Sequence, residues 1–254
     1  MEIRVLGCNG GILPGFRSSS FLINGRILID SGHVADVLTL EEQNRIRDIF
    51  VTHFHLDHTK DIAFLTDNAF GDHNLPISIY GTEQTVSDFQ RHYFNNVTWP
   101  DFTKINSDNH PIVRLVAVKT SEKSLAGGME VTSFIVNHSI DGVGYVVRDG
   151  SAAVVFSGDT GPTEVLWDIV NGDMNVKAVF VETSFPNELQ AIADASGHFT
   201  PRTLDTDLRK LTKSTIPIYL YHLKPKYYDI IIKEIKALKR DNLIILRNDL
   251  RITF

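Results

Sequence analysis

The chain has 254 residues, 43% of them hydrophobic, enough to bury a core in one large α/β domain spanning residues 1–254. Its net charge of −6, with no basic run, excludes the electrostatic footprint of a protein that wraps long nucleic acid, while small anionic substrates stay open. A single cysteine, Cys8, cannot close an internal disulfide; no signal-peptide-like or membrane-span-length apolar segment occurs, so a soluble cytoplasmic protein is expected.

In chain order, "EIRVLG", "SSFLIN" and "RILIDSG" read as strands, with Asn24-Gly25 as a tight hairpin turn between the last two. A helix is expected over residues 34–47, then a short buried strand "DIFVTH", a second helix from about Thr59 to Ala69, a strand "ISIYG" and a helical "TEQTVSDFQRHYF". Residues 95–111, "NNVTWPDFTKINSDNHP", read as an inserted loop or lid. Strands return at "IVRLVAV", "MEVTSFIVNH", "VGYVVRD" and "AAVVFSGD", followed by a helix from near Pro162. The last third alternates "AVFVETS", helices around 187–195 and 202–212, "IPIYLYHL", the amphipathic "YYDIIIKEIKALKR" and "LIILR". Strands and flanking helices in both halves predict a four-layer αβ/βα sandwich, with a site along one edge.

Within "FVTHFHLDHTKD", His53, His55, Asp57 and His58 fall in six positions between a strand and a helix. Alternate residues of an extended chain share a face, so His53 and His55 aim together, while Asp57 and His58, on the turn that follows, address a second point. Two metal ions suit this donor set, because imidazole ligates first-row divalent ions and the carboxylate hardens one of the two sites. Two ions need further donors, and three strands end in a ligand-type side chain: His138, Asp159 and His222.

Asp30 in "LIDSG", the "HFHLDH" cluster, His138, "FSGDT" and His222, in that order, resemble the five motifs of the metallo-β-lactamase fold superfamily across nearly the whole chain. The resemblance implies that His53, His55 and His138 hold one divalent ion, that Asp57, His58 and His222 hold the other, and that Asp159 bridges. Zn2+ is the first expectation, with Mn2+ or Fe2+ as alternatives. Asp30 becomes a ligand-orienting carboxylate. His33, His73, His92 and His110 match no motif and are assigned surface or structural roles.

Such a dinuclear centre supplies hydroxide at neutral pH and stabilises charge, which suits several hydrolyses, and the fold alone does not choose among them. The choice rests on "VETSFPNELQAIADASGHFTP". An alkoxide leaving phosphate needs a proton; His198 can supply it as a general acid, with Glu182 holding its imidazole. Asp57 counts among the catalytic residues as well as the ligands. This segment, with "WPDF" and "HFHLDH", resembles the class II cyclic-nucleotide phosphodiesterases, which implies hydrolysis of 3′,5′-cyclic AMP or GMP to the 5′-monophosphate. Thr59 and Asp61 depart from that family's pattern after the aspartate–histidine pair.

The near alternative is the RNase Z branch of tRNA 3′-processing endonucleases, which usually carries a basic, glycine-rich arm; none lies between Lys119 and Lys213. An alternative of another class is a non-catalytic metal-bearing binding or sensor domain. An oxygen-reducing di-iron centre would need a carboxylate where His55 stands. Trp99, Phe102, Phe185 and Phe199 are candidates to stack on a purine. The expected partner is a small anionic phosphodiester, and a homodimer is compatible with the sequence.

Overall fold

The computed structural model describes residues 1–71, 76–107 and 110–254; His73 lies outside the described residues. The N-terminal half contains β1 (Glu2–Gly7), β2 (Ser20–Ile23), β3 (Ile27–Ile29), α1 (Leu40–Gln43), β4 (Asp48–Phe50), α2 (Leu56–Thr59), α3 (Ile62–Asn68), β5 (Ile77–Gly81) and α4 (Glu83–Asp88). Two short antiparallel strands, β6 (Asn106–Ser107) and β7 (His110–Pro111), precede β8 (Val113–Ala117). There follow β9 (Lys123–Ala126), β10 (Met129–Ile135), β11 (Val143–Asp149), β12 (Ala152–Phe156), α5 (Val165–Gly172) and β13 (Val176–Glu182). The chain closes with α6 (Gln190–Ser196), α7 (Pro201–Asp207), β14 (Ile218–Tyr221), α8 (Tyr228–Ala237), β15 (Leu243–Ile245) and β16 (Arg251–Thr253).

Two seven-stranded sheets result, in the orders β16-β1-β2-β3-β4-β5-β8 and β15-β14-β13-β12-β11-β10-β9. Their facing sides interlock through Phe21, Ile29 and Phe50 of the first sheet and Tyr145, Phe156 and Phe180 of the second. Leu22, Leu28 and Ile49 point the other way, under Ile62, Leu65 and Phe89, while Val155, Val179 and Leu220 lie under Trp167, Leu204 and Ile231. Strands buried on both faces explain why the sequence runs are continuously apolar rather than alternating. The arrangement is the four-layer sandwich expected. Asn24 and Gly25 both have positive φ, 48° and 68°, as the predicted hairpin turn requires.

In the N-terminal half three helices differ from expectation. Over residues 34–47 only Leu40–Gln43 is helical: Asp61 accepts the Val34 and Ala35 N–H groups at 2.5 and 2.9 Å, and Thr39 (ψ 159°) starts the helix afresh with a capping box. The helix expected from Thr59 begins earlier and is divided into α2 and α3, broken at Lys60-Asp61. After α4 the chain widens into a π-turn over Phe89–Tyr93, where the Phe94 N–H reaches the Phe89 carbonyl. The strand β9, polar and joined to β10 through Gly127-Gly128, and the terminal β16 carry no alternation signal in the sequence; each pairs with an apolar neighbour, β10 and β1 respectively.

Candidate metal and proton-transfer site

β4, β12, β13 and β14 end on one rim, where the two sheets are tied together. The Val143 N–H donates to the Thr52 carbonyl at 2.9 Å, and the Tyr145 hydroxyl donates to the Val51 carbonyl at 2.8 Å. His53 follows β4, Asp159 follows β12, Glu182 is the last residue of β13 and His222 follows β14. His138, three residues beyond β10, joins them. Asp30 and His222 both have positive φ (58° and 64°), uncommon for non-glycine residues.

The side chains form two donor groups. His53 Nε2 lies 2.9 Å from His55 Nδ1, which is 3.4 Å from His138 Nε2. In the second group His58 Nε2 is 3.2 Å from His222 Nε2, which is 3.3 Å from Asp57 Oδ2. Asp159 Oδ2 stands between them, 3.7 Å from His53, 3.4 Å from His58 and 3.2 Å from His222. The seven expected ligands are therefore brought together in the expected grouping.

Hydrogen bonds behind the rings assign their free nitrogens. His58 Nδ1–H donates to Asp30 Oδ2 at 2.7 Å, and His138 Nδ1–H donates to the Gly197 carbonyl at 3.1 Å. His53 Nδ1 faces the Thr52 hydroxyl at 3.1 Å, which itself donates to Asp30 Oδ2 at 2.9 Å. His222 Nδ1 donates to Ser184 Oγ at 2.8 Å, and that hydroxyl donates to Glu182 Oε2 at 2.9 Å. Each of these four rings turns its Nε2 inward, the orientation metal-ligating histidines take. Thr52 and Ser184 were not singled out from the sequence; the only signal was a hydroxyl beside a candidate ligand at a strand end.

The donor set fits divalent ions on two counts. Asp159 Oδ1 is buried with no hydrogen-bond partner, a costly state unless something ligates it. The donor spacings are also near the roughly 3.4 Å expected between ligands about 2.1 Å from a tetrahedral ion. Burial, followed by the neighbouring His58, holds His53 well below the usual histidine range; burial also lowers His55 and His138. All three thus favour the neutral, ligating form. Burial opposes charge on Asp57 and Asp159, but the surrounding imidazoles outweigh it and keep both carboxylates well below their ordinary range.

His198 sits beside both groups, with a ring nitrogen within 4.8 Å of donor atoms of His138 and Asp159 on one side and of His222 on the other. Its ring is 5.0 Å from that of His138 and stacks on His222 at 5.5 Å. Nδ1 is bonded to Glu182 Oε1 at 2.7 Å, which leaves Nε2 as the edge available to a ligand. Glu182 is fully buried and also accepts the Thr160 and Phe199 N–H groups, each at 3.2 Å. Burial alone would lower His198, but the Glu182 carboxylate outweighs it and raises the imidazole above its ordinary value. Gly197, at φ +67°, turns the chain out of α6 into this position; a Cβ there would collide with the His138 backbone.

Thr59 and Asp61 have structural partners. The Thr59 hydroxyl donates to the His55 carbonyl at 3.0 Å, and Asp61 holds the turn at Val34 and Ala35. The aromatic candidates divide. Phe185 lies 5.6 Å from the His198 ring, with Lys224 Nζ 5.8 Å from its centroid, so it faces the site. Phe102 and Phe199 correct the expectation: they are 4% and 0% exposed, locked in the cores under the two sheets, with no face left for a base. Trp99 packs edge-on against Phe64 at 5.6 Å, joins the same cluster as Phe102 and anchors the loop. Cys8 is buried, and that burial pushes its thiol up to about 12.

Comparisons with known proteins agree with this geometry. The chain is 29% identical over 259 residues to a 3′,5′-cyclic-nucleotide phosphodiesterase of Aliivibrio fischeri, covering 81% of this chain and 74% of the relative. It is 29% identical over 238 residues to a ribonuclease Z of Methanococcus maripaludis strain C5, covering 86% and 73%. Unliganded yeast PDE1 superposes with a TM-score of 0.83 at 19% identity, over 100% of this chain and 99% of that one. Residues 33–243 match the family described as cAMP phosphodiesterases class-II, and the chain belongs to that family.

Proposed function

We propose that the chain hydrolyses 3′,5′-cyclic nucleotides to 5′-monophosphates, with the whole length acting as one catalytic domain. The observation that carries this reading is the 2.7 Å His198–Glu182 pair set beside two donor groups that share Asp159. His53, His55 and His138 would hold one divalent ion and Asp57, His58 and His222 the other, with Asp159 between; zinc is the ion proposed. When bound, the ions would activate water and neutralise charge on the phosphoryl group. His198 would donate its Nε2 proton to the departing 3′ oxygen, and Glu182 keeps that imidazole oriented and protonated. Phe185 would border the ribose.

The likeness to ribonuclease Z supports a second reading, tRNA processing. Against it stand the net charge of −6 and the lack of a basic arm in the sequence. No helix among the described residues is long and apolar enough to cross a membrane, and the buried lone cysteine suits the reducing cytoplasm proposed here; a homodimer is compatible. The deciding experiment incubates purified, metal-analysed protein with cyclic AMP, cyclic GMP and a tRNA precursor and separates the products. The 5′-monophosphate is expected. The 3′-monophosphate, tRNA cleavage alone, or metal binding without turnover of any phosphodiester would overturn the reading.

A further inference from the structure

A cleft of about 460 Å³ opens directly from His55. Phe54 forms its apolar floor; Gln84 and Asp88 of α4, with His92 of the π-turn, form one wall, and Ile140 and Asp141 form the other. Both walls are held in place. The Thr82 hydroxyl at the start of α4 is hydrogen-bonded to the Asp141 carboxylate across the gap. The Tyr93 hydroxyl accepts the Ala63 N–H at 2.8 Å and donates to the Thr59 carbonyl at 2.9 Å, fixing the π-turn to the helices that follow the metal cluster. A larger groove, about 500 Å³, lies beside α5, but it touches none of the donor residues and its charges are paired, Lys123 with Glu130 and Arg148 with Asp173.

The chemistry of the cleft beside His55 restricts its occupant. Two carboxylates and no lysine or arginine line it, so it repels phosphate and disfavours a polyanionic strand. Apolar surfaces at Phe54 and Ile140 suit a flat, uncharged group, and the volume is ample for a purine. Gln84 Nε2 already donates to Asp88 Oδ1 at 2.9 Å, which leaves Gln84 Oε1 and Asp88 Oδ2 as acceptors. A base with two adjacent donors satisfies both. Guanine presents N1–H and the N2 amino group on one edge; adenine sets its amino group beside N1, whose lone pair would face a carboxylate oxygen.

We propose that this cleft is the nucleobase subsite and that Asp88, with Gln84, reads the donor edge of guanine, so that cyclic GMP is preferred over cyclic AMP; this rests on the cyclic-nucleotide reading above. The test compares kcat/KM of the metal-loaded enzyme for cyclic GMP, cyclic IMP, cyclic AMP and the base-free bis(p-nitrophenyl) phosphate, in wild type, Asp88→Ala and the shape-conserving Asp88→Asn. Wild type should favour cyclic GMP over cyclic AMP by about tenfold or more, with cyclic IMP, which lacks the N2 amino group, between them. Both variants should lose roughly 10- to 100-fold on cyclic GMP relative to bis(p-nitrophenyl) phosphate, mainly in KM, and become nearly indifferent between the purines. A wild-type preference for cyclic AMP, or equal losses on all four substrates, overturns the subsite while leaving cyclic-nucleotide hydrolysis intact. Turnover of bis(p-nitrophenyl) phosphate but of no cyclic nucleotide by wild type overturns the reading beneath it as well.

Discussion

Replacing His198 by alanine separates proton donation from metal holding. In the structure His198 makes no short contact to a donor nitrogen; its one strong bond is to Glu182, 2.7 Å away. With the ring removed, Glu182 Oε1 keeps the Thr160 and Phe199 N–H groups and Oε2 keeps the Ser184 hydroxyl, so no buried carboxylate is left bare. The fold and both donor groups should therefore persist, and the loss should fall on chemistry. Lost general-acid assistance is worth about 10²- to 10⁴-fold, or about 3–5 kcal/mol of transition-state stabilisation, for a leaving group that needs a proton. Turnover of cyclic AMP or cyclic GMP should fall by that factor, whereas bis(p-nitrophenyl) phosphate, whose phenolate leaves unaided, should be much less affected. Both rates are measured on one preparation with its metal content determined. Equal losses on the two substrate types, or loss of metal, would refute proton donation and make His198 a positioning residue.

Glu182→Gln removes the charge that raises His198. A general acid works only while protonated, so activity falls as pH rises through its pKa, and the basic limb of the kcat/KM profile should move to lower pH in the variant; an unmoved limb would separate Glu182 from proton transfer. Asp30→Asn weakens the 2.7 Å bond that orients His58, and metal affinity, read by chelator competition, should fall about 10- to 100-fold. An unchanged affinity would remove Asp30 from the support of the metal site. Asp61→Ala deletes two charge-assisted bonds to the Val34 and Ala35 N–H groups, a loss of about 2–5 kcal/mol. In a chain of this size that should lower Tm by roughly 5–15 °C, and a shift under about 2 °C would show that the turn is held by other contacts.

Features encoded locally were legible from the amino-acid sequence alone. "HFHLDH" places four donors within one short stretch of chain, and His138, Asp159 and His222 each follow an apolar run, so spacing and the ends of those runs identify them independently of packing. Asn24-Gly25 announced its turn because few other residue pairs tolerate two successive positive φ values. Tertiary structure decided what depends on residues distant in the chain. The predicted 34–47 helix is cut short with help from a carboxylate 26 residues beyond Ala35, a competitor no local pattern reveals. Phe102 and Phe185 look alike as loop aromatics, yet packing buries one under the first sheet and turns the other toward His198. Ser184 acquires its place between His222 and Glu182, and Asp88 its place beside His55, only when the strand ends and loops are assembled in space. Donor identity belongs to each residue, but orientation and access belong to the packing of the two sheets and their loops, because a side chain's direction is fixed by the neighbours that exclude the alternatives.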